Sequence, residues 1–119
     1  MSKIIDNAEQ FLWLSGRVLD RARFEQLFRA GSSQRVIDAL LPYRNADGGF
    51  GQGLEPDFRG PVSQTLALDS ALRTLEGVEG ADALLKPALD WALSIRSKDG
   101  GIPNVSGDVS PYPRAPWFV

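Results

Sequence analysis

Apolar residues recur along most of this chain at the three-and-four spacing of a helix, and the strict alternation of a strand is nearly absent. Ile4, Ala8, Phe11, Leu12 and Ser15 trace the inner face of a first predicted helix ending near Gly16. Asp20 is placed to cap a short second helix with Phe24, Leu27 and Phe28 on its buried side, closed by Gly31. Ser33 is placed to cap a third, with Val36, Ile37, Leu40 and Leu41 buried, and Pro42 in its last turn favours its end. Pro61 suits the first turn of a fourth helix, whose stripe is Leu68, Ala71, Leu72 and Leu75 before Gly77. A fifth is predicted from Ala81 to Ser97. Its apolar residues Leu84, Leu85, Leu89, Trp91, Leu93 and Ile95 spread widely enough to predict burial on more than one side. Pro87 marks a kink in that helix or its true start. Residues 44–62 are glycine-rich and lack an apolar period, and the proline-punctuated stretch from Asp99 onward is predicted loop.

The pattern also repeats. Arg35 to Phe50 lies on Pro87 to Ile102 without a gap, 52 residues further on. Asp38 then matches Asp90, Leu41 matches Leu93, Arg44 matches Arg96, and Asp47-Gly48-Gly49 matches Asp99-Gly100-Gly101. Each copy is an apolar helix running into Arg-x-x-Asp-Gly-Gly and an apolar residue. An offset near 50 accommodates one helical hairpin per repeat, and a hairpin that cannot bury its apolar face alone must stack on its neighbour. The physical task of Asp-Gly-Gly is to end a helix and reverse the chain. Glycine reaches positive φ without a Cβ penalty, and the aspartate binds amides of its own turn.

At 119 residues and 13.0 kDa the chain is the size of one domain, spanning residues 1–119. With 43% hydrophobic and 24% charged residues it has the composition of a globular protein. Cysteine and histidine are both absent. That excludes disulfide scaffolds, Cys/His zinc sites, cysteine nucleophiles and Ser-His-Asp triads. A formal charge of -2 supplies no basic field for nucleic acid. No apolar run approaches the ~20 residues of a membrane span, and no signal peptide is read at the N-terminus, so a cytoplasmic location is expected. No cofactor or metal site is read.

The stretch Tyr43-Arg44-Asn45-Ala46-Asp47-Gly48-Gly49-Phe50-Gly51 resembles the turn repeat of terpenoid cyclases and protein prenyltransferases. Arg44 and Arg96 stand where the squalene-hopene cyclase repeat has glutamine, and Phe50 and Ile102 stand where it has tryptophan. The likeness is nearer to uncharacterised bacterial proteins grouped with that superfamily. It runs through Leu54-Glu55-Pro56-Asp57, Arg59-Gly60-Pro61, Ser63-Gln64 and Leu89-Asp90-Trp91 to Pro113-Arg114-Ala115-Pro116-Trp117. It implies an α/α toroid, in which inner and outer helices alternate round a central cavity. A full ring of that kind has about six hairpins and roughly 250 to 300 residues at this repeat length. The length therefore predicts a fragment, an engineered piece, or a protomer that completes its core by association, with a dimer favoured. Of the family's catalytic motifs, the Asp-x-Asp-Asp acid string is absent, and the Asp/Cys/His zinc set lacks its Cys and His.

The candidate chemistry is thin. Glu55 and Asp57 flank Pro56 in the glycine-rich loop; they read as an acid/base pair or a divalent-cation site, or as rim acids pairing with Arg59 or Arg44. Asp47 and Asp99 read as turn-makers, with Gly48, Gly49, Gly100 and Gly101. Asp38 and Asp90, being repeated, read as packing or ion-pair residues. Trp13, Trp91, Trp117, Phe11, Phe24 and Phe28 line an apolar cavity or are plain core. The expectation is an all-α partial toroid of stacked helical hairpins, non-catalytic or catalytically incomplete, that self-associates through exposed helix faces. The alternative is an enzyme of terpenoid cyclase/prenyltransferase-like or toroid-glycosidase type acting on an apolar or glycan substrate.

Overall fold

The computed structural model describes residues 2–119 and is all-α among them. Five α-helices occur in chain order: α1 (Ser2–Ser15), α2 (Val18–Phe28), α3 (Ser33–Leu40), α4 (Thr65–Leu75) and α5 (Asp82–Ser94), with a 3-10 turn over Leu41–Tyr43. Extended pairing among the described residues is limited to two isolated bridges, Arg44 with Phe50 and Phe58 with Arg114. Each helix packs on the next, α1 on α2, α2 on α3, α3 on α4 and α4 on α5, so the helices form a row. The row measures 49 × 32 × 23 Å with a radius of gyration of 15.6 Å. A rounded domain of this length would have about 13.5 Å. The excess reflects an open row with two free ends.

The main core lies in the middle of that row. Val36, Ile37 and Leu40 of α3 meet Ala67, Leu68, Ala71 and Leu75 of α4, then Leu84, Ala88, Trp91 and Ala92 of α5, with Phe50 and Leu54 plugged in from the glycine-rich loop. A smaller cluster of Phe58, Val109 and Phe118 sits beside it. There Phe58 stacks on Phe118 at 5.0 Å between centroids and meets Tyr112 edge-on at 5.8 Å. Arg114 fixes this C-terminal stretch by donating to the carbonyls of Phe118 at 3.0 Å and Ser110 at 3.2 Å. Thus Phe118 is buried, while Trp117 and Val119 on either side are exposed.

Several predicted boundaries shift, each for a local reason. The N-cap of α2 is Arg17, and Asp20 is its third residue, accepting from the Arg17 backbone N–H at 2.9 Å in the manner of a capping box. Partial burial pushes the Asp20 carboxyl up, but hydrogen bonds from the Arg17 guanidinium and backbone outweigh it and hold the group below its ordinary value. At the other end of α2 the left-handed residue is Ala30 (φ 53), and Gly31 comes next with its N–H on Glu25 O at 2.8 Å. Ser32, not Ser33, caps α3 through its Oγ on Arg35 N–H, while Ser33 Oγ accepts from Glu79 N–H at 3.2 Å. Leu41 falls in the 3-10 turn and is exposed. Helix α4 begins at Thr65 because the backbone before it is tied to the glycine-rich loop, Gln52 N–H meeting Pro61 O at 3.3 Å and Gln64 N–H meeting Phe50 O at 2.9 Å, with Gln64 extended as the N-cap.

Three predicted apolar faces turn outward in whole or in part; of the predicted α2 face only Phe24 is buried, and Leu27 and Phe28 are exposed. In α1, the half-buried residues are Ile5, Glu9 and Leu12, while Ile4, Ala8, Phe11 and Ser15 face solvent. The helix is held by polar links to α2: Arg29 grips Asp6 at 2.6 Å and Glu9 at 3.2 Å, and Arg21 Nε donates to Leu12 O at 3.4 Å. In α5, which ends at Ser94 and runs through Pro87, burial is one-sided, and Leu89 and Leu93 are exposed.

Candidate functional site

The two Asp-Gly-Gly turns have the same construction. In the first, Asn45 N–H donates to Gly49 O at 2.9 Å, Gly48 N–H to Asn45 O at 3.0 Å, and Gly49 N–H to Asp47 Oδ1 at 2.9 Å. In the second, Ser97 N–H donates to Gly101 O at 2.7 Å, Gly100 N–H to Ser97 O at 2.9 Å, and Gly101 N–H to Asp99 Oδ1 at 2.9 Å. Gly48 has φ 88 and Gly100 φ 89, a region in which a Cβ is penalised. The correspondence extends into the preceding helices. Asp38 accepts from Gln34 Nε2 at 2.8 Å, and Asp90 accepts from Lys86 Nζ at 2.9 Å, one turn earlier in each case. Asp47 and Asp99 therefore act as turn-makers, and Asp38 and Asp90 as exposed side-chain partners on their helices.

The surroundings of the two turns differ. Around the first, Ser63 Oγ donates to Asp47 Oδ1 at 2.7 Å, Asn45 Nδ2 donates to Ser63 Oγ at 2.9 Å and Pro61 O at 2.9 Å, and Gln52 Nε2 donates to Asn45 Oδ1 at 2.8 Å. This polar knot borders a depression of about 330 Å³ lined by Asn45, Asp47, Gln52, Pro61, Val62 and Ser63. The turn is also clamped from above by α5. A Cβ on Gly48 would lie 2.6 Å from Pro87 O, and one on Gly49 would lie 2.6 Å from Ser63 Oγ and 2.8 Å from the Trp91 ring. Around the second turn a Cβ on Gly100 meets nothing within 4 Å, and one on Gly101 meets only atoms of its own turn. Ser97 Oγ there turns inward to Asp99 Oδ1. With bonds from Ser97 first and the Gly101 amide second, Asp99 is held below its ordinary value.

Glu55 and Asp57 do not converge on a common cavity. Glu55 Oε1 accepts from the backbone N–H of Asp57 at 3.3 Å, closing a local turn. The gap that Glu55 borders, with Leu54, Phe58, Gln64 and Ala67, holds no free volume for a water. Asp57 Oδ2 accepts from the Trp117 indole Nε1 at 3.1 Å, and its backbone pairs with Ala115. Their partners are thus Trp117 and the backbone, in place of the predicted Arg59 or Arg44. Among the described residues no group of three or more carboxylates is placed to hold a metal ion. The aromatic residues are dispersed as well. Trp91 and Phe24 are buried, whereas Phe11, Trp13, Phe28 and Trp117 are exposed. Arg21 stacks on Trp13 at 4.9 Å, and Phe24 meets Phe28 at 5.0 Å. Leu12, Phe24, Leu27 and Phe28 line an open depression of about 310 Å³ between α1 and α2.

Comparison with known families, curated proteins and solved structures finds no match to this chain.

Two arrangements escaped the sequence reading. Gln64 is almost fully buried, and its amide makes a reciprocal pair with the backbone of Ser106, donating to its carbonyl and accepting from its N–H at 2.9 Å. The Asn45–Asp47–Ser63 knot ties the first turn to the entry of α4. The available signal was the pair Ser63-Gln64 directly before an apolar helix, two polar side chains in a stretch that must pack. Every buried side-chain nitrogen or oxygen among the described residues has a hydrogen-bond partner. No helix among them is long and apolar enough to cross a membrane.

Proposed function

We propose that this chain is a non-catalytic segment of an α/α toroid, akin to the terpenoid cyclase and protein prenyltransferase superfamily, that works in the cytoplasm as a self-associating module. The single observation that carries this reading is the unequal cover of two equal turns. Phe50, after the first Asp-Gly-Gly, is fully buried at 0% exposure; Ile102, in the same position after the second, is 43% exposed. A hairpin row with an uncovered repeat has an apolar edge that water disfavours and another helical surface satisfies. The carboxylates favour this reading over an enzyme. Glu55 and Asp57 are engaged by a backbone amide and an indole, and the gap beside Glu55 has no room for a substrate.

Molar mass by light scattering across a dilution series tests the proposal. The expected result is an oligomer whose unfolding temperature rises with concentration, because association stabilises the folded state by mass action. A folded monomer of 13.0 kDa at every concentration would refute it.

A further inference from the structure

We infer that the chains associate head to tail, the α1–α2 hairpin of one copy seated on the α5 face and second Asp-Gly-Gly turn of the next. This rests on the self-association proposed above and names its surfaces and their occupant.

The repeat register identifies what belongs on the tail. Ile37 of α3 and Leu89 of α5 are equivalent positions, yet Ile37 is 6% exposed and Leu89 is 49%. The difference arises from the helices C-terminal to each position. Beyond α3, helix α4 and the corner at Gly80 lie over Ile37, with a Cβ on Gly80 only 3.5 Å from Ile37 Cδ1, and α5 clamps the first turn through Pro87 and Trp91. The first repeat is thus covered by a helical pair. The second repeat presents the same turn, ending in Ile102, and the same helix position, Leu89, and no helix among the described residues covers them; Leu93, like its counterpart Leu41, is exposed beside that face. The occupant this surface fits is a second antiparallel helical pair.

The head supplies one. Helices α1 and α2 run antiparallel, as the contacts of Arg29 with Asp6 and of Arg21 with Leu12 require. Their outer surface carries Ile4, Phe11, Leu14, Leu27 and Phe28, each more than half exposed. Ile4, Ala8 and Phe11 form one helical stripe, the pattern of a buried face, and α2 does not bury it. Head and tail are opposite ends of the row, so each copy carries both halves of the contact. Such a contact closes as an isologous pair when two copies make it twice about a two-fold axis, and otherwise is heterologous and extends into larger rings or filaments.

The absence of cysteine makes the test direct. Phe11→Cys and Leu89→Cys proteins, both substituted at exposed positions, are mixed under mild oxidation and the disulfide-linked products are identified by mass under non-reducing conditions. The inference expects the mixed F11C–L89C species to dominate, and the double variant to yield a doubly linked dimer or closed ring. A dominant L89C–L89C or F11C–F11C product, with light scattering still showing an oligomer, overturns the head-to-tail arrangement and leaves self-association standing. A monomer throughout overturns both. In parallel, Leu89→Asp should weaken association at least tenfold while leaving the unfolding temperature of the dilute monomer unchanged. Unaltered association in that variant counts against the tail surface.

Discussion

Alanine at the second glycine of each turn separates what the turn itself needs from what packs on it. Gly49 and Gly101 have matching hydrogen bonds, and neither adopts the positive φ of its preceding glycine. A new methyl group therefore meets equivalent backbone demands at both sites. At Gly49 it would lie 2.6 Å from Ser63 Oγ and 2.8 Å from the Trp91 ring. Neither neighbour yields easily. Ser63 is tied to Asn45 and Asp47, and Trp91 is packed in the core. Overpacking of this sort costs about 1–3 kcal/mol. At about 4 °C per kcal/mol for a domain this size, Gly49→Ala should lower the unfolding temperature by roughly 4–12 °C. At Gly101 the nearest atom is Asp99 Oδ1 at 3.2 Å, on an exposed side chain that can shift. Gly101→Ala should stay within about 1 kcal/mol of the parent, some of its strain offset by the lower entropy of its unfolded chain. The assay is thermal unfolding by circular dichroism, at a dilution where light scattering reports monomer. Equal losses at both sites would show that the cost arises within the turn, and the claim that α5 clamps only the first turn would fall.

The caps and the second turn support three smaller predictions. Ala30 holds a left-handed conformation at the end of α2 (φ 53), so Ala30→Gly should stabilise the chain by about 0.5–1 kcal/mol in urea unfolding; a loss would mean that Ala30 is not strained. Ser32→Ala removes the Oγ that caps α3 and should cost about 1 kcal/mol, whereas Ser33→Ala removes only the link to Glu79 and should cost about half that; the reverse order would return the cap to Ser33. The Asp99 carboxyl should titrate by NMR below its ordinary 3.8, held down by Ser97 first and the Gly101 amide second. A depressed folded-state value means that the carboxylate's contribution to stability is present above 3.8 and disappears as the pH falls through the folded value. Ser97→Ala should raise that midpoint, and a midpoint unmoved by the substitution would remove Ser97 from the account.

The number of helices and the doubled turn are legible in the sequence because both depend on near neighbours. Periodicity needs only one helix, and Asp-Gly-Gly closes its hydrogen bonds within five residues. Caps were legible to within a few residues. Ser32 and Ser33 are chemically alike, and the choice between them rests on Glu79, which lies 46 residues away. Pro61 looks like a helix start until the hydrogen bonds of Gln52 with Pro61 and of Gln64 with Phe50 hold the backbone out of the helix as far as Gln64. The Asn45–Asp47–Ser63 knot was illegible for the same reason, since its members meet only after the loop doubles back. The α1 stripe fails differently. A period locates an apolar face but does not say whether this chain brings a partner to it, and in α1 the clamp of Arg29 on Asp6 and Glu9 turns another side inward.

The polar interior is complete and the apolar ends are not, and that contrast bears on what the chain is equipped to do. Every buried side-chain nitrogen and oxygen among the described residues is partnered. Much of the exposed apolar surface sits at the two ends of the row, on α1, α2 and α5. Ile4, Phe11, Leu89, Leu93 and Ile102 average somewhat more than half exposed. Covering what remains of them is worth about 5–6 kcal/mol gross at ordinary transfer values. Association of two chains loses about 4–15 kcal/mol of rigid-body freedom, which over most of that range exceeds what one head-to-tail contact returns. A closed pair makes the contact twice while losing that freedom once. The head-to-tail pairing inferred above is therefore expected to be stronger in a closed pair than in a linear chain of copies, and dilution of such a pair should give monomer without populating open intermediates.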